Sequence, residues 1–200
     1  MFKHAFKLSL LGLLLLPFTA TANDLWTRSY TLEVNEQYTE AAKTIEPYLS
    51  QGEDKEFAEL RSGWLYYLAG NYSRSIDHYK SALNLNKQSL EARLGMALPL
   101  LAQSRWQEAA MQCNEVLRQS AWHYYAHIRL MVSEEGQKKW STLVEHAEQV
   151  YKRYPADATV LVYLARGYKQ LGETARAKAA YNQVLARVPG HLEASQYMVE

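Results

Sequence analysis

The strongest constraint on the fold of this chain is a repeat of about 34 residues that runs through nearly its whole length. Aromatic residues recur at this interval, and small or apolar residues recur three positions after them. The aromatic series is Tyr38, Tyr72, Trp106 and Trp140, and the second series is Ala41, Ser75, Ala109, Leu143 and Ala177. No insertion or deletion interrupts the spacing from about residue 24 onward. Self-similarity at a fixed period of this length indicates an array of equal structural units.

Each unit has the pattern of two helices. In the last full unit, residues 160–171 carry apolar side chains at helical steps, and Gly172 follows as a typical residue just past a helix end. A second helical run covers residues 174–188 and stops at Pro189. The sequence shows neither alternating β-branched runs nor Asn-Gly or Asp-Gly turns, which are the signals of strands. Because one hairpin cannot bury its own apolar face, the pattern predicts an all-α fold of stacked helix hairpins.

This unit resembles the tetratricopeptide repeat, whose pattern is W-x2-L-G-x2-Y, then A-x3-F, then P. The fifth unit matches at Leu161, Leu164, Ala165, Tyr168, Ala177, Tyr181 and Pro189, and the second at Gly63, Tyr66, Gly70, Ser75, Tyr79 and Ala82. Further matches are Ala97, Leu100, Ala109 and Val116 in the third unit, and Leu130, Met131, Val150 and Pro155 in the fourth. The first unit is the weakest, with Ser29, Leu32, Tyr38 and Ala41. Glu134 departs from the pattern where an aromatic residue is usual, and Lys87 and Ala121 depart where proline is usual.

The resemblance covers almost all of residues 23–200 and implies a right-handed α-solenoid. The implied units are residues 22–55, 56–89, 90–123, 124–157 and 158–191, followed by a partial unit at 192–200. Within this array, Pro99 is expected to kink its helix, with Gly95 easing the strain.

The N-terminus predicts a cleavable signal peptide at residues 1–22. Lys3 and Lys7 precede a short apolar run at positions 8–18, which is followed by Ala20-Thr-Ala22. The run is too short for a membrane span, which needs about 20 residues. No cysteine follows the cleavage point for lipid attachment, so we expect a periplasmic or secreted protein without stable membrane insertion.

Charge and cysteine content exclude several functions. The formal net charge is +1, and it becomes −1 when Lys3 and Lys7 are removed with the signal peptide. This balance argues against a nucleic-acid partner, since phosphate neutralisation requires a basic surface. Cys113 is the only cysteine, so an internal disulfide is impossible, and its apolar neighbours predict burial without reactivity.

Catalytic motifs are absent from the sequence. There is no Gly-rich phosphate loop and no Gly-x-Ser-x-Gly, so we expect neither an enzyme nor a cofactor. His123 and His127 lie one helical turn apart, which is a spacing that a metal site uses, with Glu134 as the nearest further ligand. The alternative, two ordinary packing histidines, is favoured, and no metal site is predicted.

A second apolar stripe on the first helices predicts a protein-binding groove. Its members are apolar or aromatic in the first four units and basic in the fifth: Trp26, Tyr30, Phe57, Leu60, Trp64, Tyr67, Leu94, Leu98, Leu101, Tyr125, Ile128, Arg166 and Lys169. The family resemblance implies that this side of each first helix lines a concave groove. The family members that hold a terminal carboxylate use lysine, arginine and asparagine there, unlike the aromatic and aliphatic residues of this stripe. Large exposed apolar patches usually mark interaction sites, but internal packing of the stripe remains the alternative.

The leading hypothesis is therefore a non-catalytic adaptor that is exported to the periplasm and captures a partner segment during envelope assembly or export. The expected partner is a protein, bound as a peptide segment or a helix, and self-association stays open. The alternative is a periplasmic module of a larger outer-membrane export machine, with the groove packed by its own chain or by a second copy.

Overall fold

The computed structural model describes residues 22–50, 52 and 54–199, and it contains helices and turns but no strand in these ranges. The helices are α1 Ala22–Val34, α2 Tyr38–Thr44, α3 Pro47–Ser50, α4 Lys55–Leu68, α5 Tyr72–Leu85, α6 Leu90–Ala102, α7 Trp106–Gln119, α8 Tyr124–Gly136, α9 Trp140–Arg153, α10 Ala158–Gln170, α11 Thr174–Arg187 and α12 Leu192–Val199. The predicted all-α fold of stacked hairpins is confirmed. None of these helices has both the length and the apolar character needed to cross a membrane. The predicted signal peptide, residues 1–22, lies outside the described residues except for Ala22, where α1 begins.

The turn inside each hairpin repeats with the same backbone conformation. A residue with positive φ stands at positions 36, 70, 104, 138 and 172, so the turns follow the repeat interval. Glycine occupies this position twice, at Gly70 and Gly172, while Glu36, Ser104 and Lys138 adopt φ values of 56–59°. Residues other than glycine are sterically disfavoured in this left-handed region, because they carry a Cβ atom. The period therefore fixes the turn geometry even where the residue type is unfavourable.

The core lies between the two helices of each hairpin and the first helix of the next unit. The small or apolar series at the repeat interval is fully buried at all five positions: Ala41, Ser75, Ala109, Leu143 and Ala177. Ser75 also donates a hydrogen bond through Oγ to the carbonyl oxygen of Gly63, at 2.7 Å. These side chains allow the paired helices to approach closely, as their position in the repeat predicts.

Gly95 is required for packing against Tyr79. A Cβ at Gly95 would lie 2.2 Å from Cε1 of Tyr79, and a Cβ at Gly63 would lie 2.9 Å from the same ring. The buried Tyr79 ring of α5 thus fits between α4 and α6. Pro99 is itself buried, and α6 continues past it to Ala102.

The second helix of the first unit is divided into α2 and α3. Proline lacks the N–H that an uninterrupted helix would need and disfavours the α conformation in the residue before it. Pro47 therefore begins the short helix α3, where a missing N–H is tolerated, and α2 ends at Thr44. The break is visible in the sequence as a proline in the middle of a second helix.

The first helices of successive units lie side by side. α4 contacts α6, α6 contacts α8, and α8 contacts α10, while α12 packs on α11 at the C-terminal end. The Tyr197 ring of α12 lies 4.7 Å from the Tyr181 ring, and the Tyr181 hydroxyl donates to Glu193 at 2.7 Å. The solvent-exposed sides of the first helices, α1, α4, α6, α8 and α10, form a surface that we call the first-helix face.

Candidate functional site

The first-helix face exposes four of the large aromatic side chains that the sequence pattern predicted to line a groove. Tyr30 is 47% exposed, Phe57 45%, Trp64 36% and Tyr125 61%. These rings come from α1, α4 and α8. An exposed aromatic surface of this kind is typical of a protein interaction site.

The other predicted apolar members of the face are only partly exposed: Trp26, Leu60, Tyr67, Leu94, Leu98, Leu101 and Ile128. Trp26 stacks on Tyr48 with ring centroids 4.4 Å apart, and Leu60 and Leu101 pack against the core around Tyr79. These residues belong partly to the core and partly to the surface. The face therefore combines exposed rings with a semi-buried apolar floor.

Trp64 is held in place by a polar cluster beneath the exposed rings. Its indole Nε1 donates to Glu33 at 2.7 Å, and its ring lies 5.7 Å from that of Tyr67. Arg61 pairs with the same Glu33 at 2.8 Å, and its guanidinium lies 3.6 Å from the centre of the Tyr30 ring. These contacts link α1 to α4 and hold Trp64 in one orientation.

The C-terminal end of the face carries balanced charges rather than the expected basic surface. Arg166 lies between two carboxylates, at 2.6 Å from Glu193 and 3.3 Å from Glu135. The hydrogen bond to Glu193 is the main cause that raises the pKa of the arginine, and the nearby charges raise it further. The exposed Lys169 places its ammonium 4.8 Å from the Tyr197 ring. The prediction of a basic end is therefore wrong at Arg166, because two acids from neighbouring units neutralise its charge.

Arg129 differs from Arg61 and Arg166, the other two arginines of the first-helix face, in the group that it contacts. It is partly buried on α8, and its NH1 donates to the carbonyl oxygen of Leu94 at 2.6 Å. Burial lowers the pKa of its guanidinium. Within the described part of the chain, no carboxylate forms an ion pair with it. Arg61 and Arg166 each have such a partner.

A polar pair recurs between the two helices of three consecutive units, at equivalent positions of the repeat. Glu59 pairs with His78 at 2.7 Å, Arg93 with Gln112 at 3.3 Å, and His127 with His146 at 2.8 Å. In the fourth unit the contacts continue at both ends: His127 Nε2 lies 3.0 Å from the Ala121 carbonyl oxygen, and His146 Nδ1 lies 2.9 Å from Glu134. Glu134, which departs from the family pattern and is buried, thus has a partly buried partner in His146.

The same network removes the basis for a metal site at His123 and His127. Both ring nitrogens of His127 are engaged, one by His146 and the other by Ala121, so neither points a free lone pair at His123. Over residues 22–50, 52 and 54–199, no cluster of three histidine, cysteine or acidic side chains has the arrangement of a metal site. Cys113 is fully buried, and burial raises the pKa of its thiol to about 12.

Comparison with protein families identifies the repeat. A model described as "Tetratricopeptide repeat" matches residues 159–191, and one described as "Anaphase-promoting complex, cyclosome, subunit 3" matches residues 34–116. The chain belongs to the tetratricopeptide-repeat family. Repeats of this family form extended surfaces for protein interaction. A search of curated protein sequences gave no match.

Solved structures of tetratricopeptide-repeat proteins share the fold. MamA from Desulfovibrio magneticus has a TM-score of 0.76 at 13% identity, over 86% of this chain and 97% of its own. YrrB, described as having an unusual peptide-binding site, has a TM-score of 0.73 at 12% identity, over 90% and 93% of the two chains. A protein from Parabacteroides merdae has a TM-score of 0.71 at 17% identity, over 84% of this chain and 67% of its own. At these identities the likeness shows the shared solenoid fold.

The acids of the first-helix face and the partner of His127 were not predicted from the sequence. Glu33 and Glu135 occupy the same position in their units as Tyr67 and Lys169, which belong to the predicted stripe. The repeat interval therefore indicates where these acids lie. His146 stands two full repeats after His78, and that spacing was an available signal.

Proposed function

We propose that this tetratricopeptide-repeat protein is an exported, non-catalytic adaptor that captures a segment of a partner protein on its first-helix face. The proposed place of action is the periplasm, during envelope assembly or export. The observation that carries the binding proposal is the exposed Trp64, which is fixed by its hydrogen bond to Glu33 and lies 5.7 Å from the Tyr67 ring. Support for export comes from the charge, length and Ala-x-Ala ending of residues 1–22.

Rigid aromatic side chains on the face give binding energy at low entropic cost. Trp64 is tethered before a partner arrives, so little rotational freedom is lost on binding. Its apolar area is available to a partner, and such central aromatic residues concentrate the energy of interfaces. Leu94 and Leu98 on α6 are partly exposed and would provide further apolar contacts to the partner segment.

Two substitutions separate binding from folding. Trp64→Ala should reduce capture of a partner by roughly thirtyfold, the factor that about 2 kcal/mol implies, while helicity is retained. Tyr168→Ala should instead reduce the free energy of unfolding by about 3–5 kcal/mol, because that ring is buried and its hydroxyl donates to Glu148. The measurement is quantitative mass spectrometry of proteins retained from an envelope extract by residues 23–200, with circular dichroism of each variant.

The proposal fails if the proteins retained by wild-type chain and by Trp64→Ala are the same, or if Trp64→Ala unfolds. Retention of a second copy of the chain alone would instead favour a self-packed face. Export is tested by the mature N-terminus, which should be Asn23 in protein isolated from the periplasm. Full-length protein beginning at Met1 would contradict the proposed localisation.

A further inference from the structure

The first-helix face contains one arginine whose positive charge has no counterion among the described residues. Arg61 and Arg129 occupy equivalent positions, two repeats apart, on α4 and α8. The carboxylate that neutralises Arg61 belongs to Glu33, on the first helix of the preceding unit. The equivalent residue of the unit that precedes Arg129 is Leu101, which has no charge. The repeat thus presents the same arginine once with a counterion and once without.

The environment of Arg129 makes this missing counterion significant. The guanidinium has five N–H donors, and the acceptor that the structure assigns to it is the Leu94 carbonyl. Its carbon lies 6.0 Å from the centre of the exposed Tyr125 ring. A partner segment lying on this face would remove more water from the guanidinium. Burial of an unpaired charge is costly, whereas an ion pair with hydrogen bonds offsets that cost.

Resting on the function proposed above, we propose that Arg129 binds an aspartate or glutamate side chain of the partner segment. The partner therefore carries an acidic residue among apolar residues, with the apolar residues contacting the rings around Trp64 and the leucines of α6. A segment with a basic residue at this position is excluded, because it would bring two like charges together. Leu101 leaves Arg129 without an intramolecular counterion, since an acid at this position would form an ion pair with it, as Glu33 does with Arg61.

The test begins with selection of random twelve-residue peptides, displayed on phage without a free C-terminus, on immobilised residues 23–200. Wild-type protein should enrich peptides that contain aspartate or glutamate beside aromatic or aliphatic residues. One enriched peptide is then synthesised with an amidated C-terminus, together with its Asp→Asn or Glu→Gln version. The uncharged version should bind about tenfold more weakly by isothermal titration calorimetry.

Protein variants locate the effect at Arg129. Arg129→Met should bind the acidic peptide and its uncharged version with equal affinity, whereas Arg129→Lys should retain most of the preference. Leu101→Glu should reduce affinity for the acidic peptide, because the new carboxylate competes for Arg129. Arg153→Met changes an exposed arginine on the second helix of the same unit and should leave the affinities unchanged.

The outcomes distinguish this inference from the proposed function. Enriched peptides that depend on Trp64 but contain no acidic residue, or that bind equally well with the amide, would overturn the role of Arg129 alone. The same holds if Arg129→Met keeps a tenfold preference for the acid. No enrichment over Trp64→Ala would overturn the binding function itself. Since the acid-to-amide comparison uses wild-type protein, it stands even if an arginine variant folds poorly.

Discussion

Acidification below about pH 6.5 should destabilise this protein through the buried His127. Burial is the main cause that lowers the pKa of this imidazole from its ordinary value of 6.5, and the nearby His146 and His123 lower it further, against a hydrogen bond to the Ala121 carbonyl that raises it. The unfolded chain then binds a proton near pH 6.5 that the folded chain does not bind. The stabilising contribution is thus fully present above pH 6.5 and is lost as the pH falls through the lower pKa of the folded state.

The hydrogen bonds limit how many protons the two facing rings can hold. The Ala121 carbonyl can only accept, so Nε2 of His127 carries its hydrogen. The 2.8 Å between Nδ1 of His127 and Nε2 of His146 has room for one hydrogen, so a proton on Nδ1 of His127 cannot coexist with one on Nε2 of His146. One proton difference limits the slope of unfolding free energy to about 1.36 kcal/mol per pH unit.

The assay is denaturant unfolding by circular dichroism between pH 5 and pH 8, on wild type and His127→Leu. Leucine is chosen because Leu161 occupies the equivalent position in the fifth unit. The free energy of unfolding of the variant should change less with pH than that of wild type, so the stability of the variant relative to wild type should rise as the pH falls. His78→Gln is the matched control, since His78 is less buried and pairs with Glu59. Parallel curves for wild type and His127→Leu would refute the reasoning.

Three further substitutions or deletions test the packing and the turns. Gly95→Ala should lower the free energy of unfolding by about 1–3 kcal/mol in denaturant titrations, since its Cβ would lie 2.2 Å from the Tyr79 ring; greater stability, as helix propensity alone predicts, would contradict this. Lys138→Gly should raise the free energy of unfolding by up to about 1 kcal/mol in the same titrations, because φ is 56°; a loss would show that the lysine side chain is needed. Deletion of residues 192–200 should lower the melting temperature, since it removes the ring contact and hydrogen bond to Tyr181; unchanged melting would count against a capping role for α12.

The period of the repeat predicted most of the fold, because each position in the unit has one packing role. Ala41 and Ala177 stand four repeats apart and are both fully buried, as are the intervening members of their series. The helix ends were predicted closely in the fifth unit, where Gly172 and Pro189 mark them. The break at Pro47 was missed, since it changes one unit without changing the period.

The candidate site was less predictable because charges on one helix are neutralised by residues of another. Arg166 was expected to be a basic contact, but Glu135 and Glu193 reach it from α8 and α12. Helical periodicity identifies residues on the same side of a helix and does not give distances between helices. The position of His127 was noted from sequence, but its partner His146 follows only from the hairpin geometry.

The central claim is that the first-helix face, and Trp64 in particular, contacts a partner protein. The most direct measurement is photocrosslinking in living cells with p-benzoylphenylalanine placed at position 64 or, as a control, at position 111. Met111 is 63% exposed on α7, a second helix outside the face. We expect an adduct with a different protein from position 64 and none from position 111. Equal adducts from both positions, no adduct from position 64, or an adduct only with a second copy of the chain would contradict the claim.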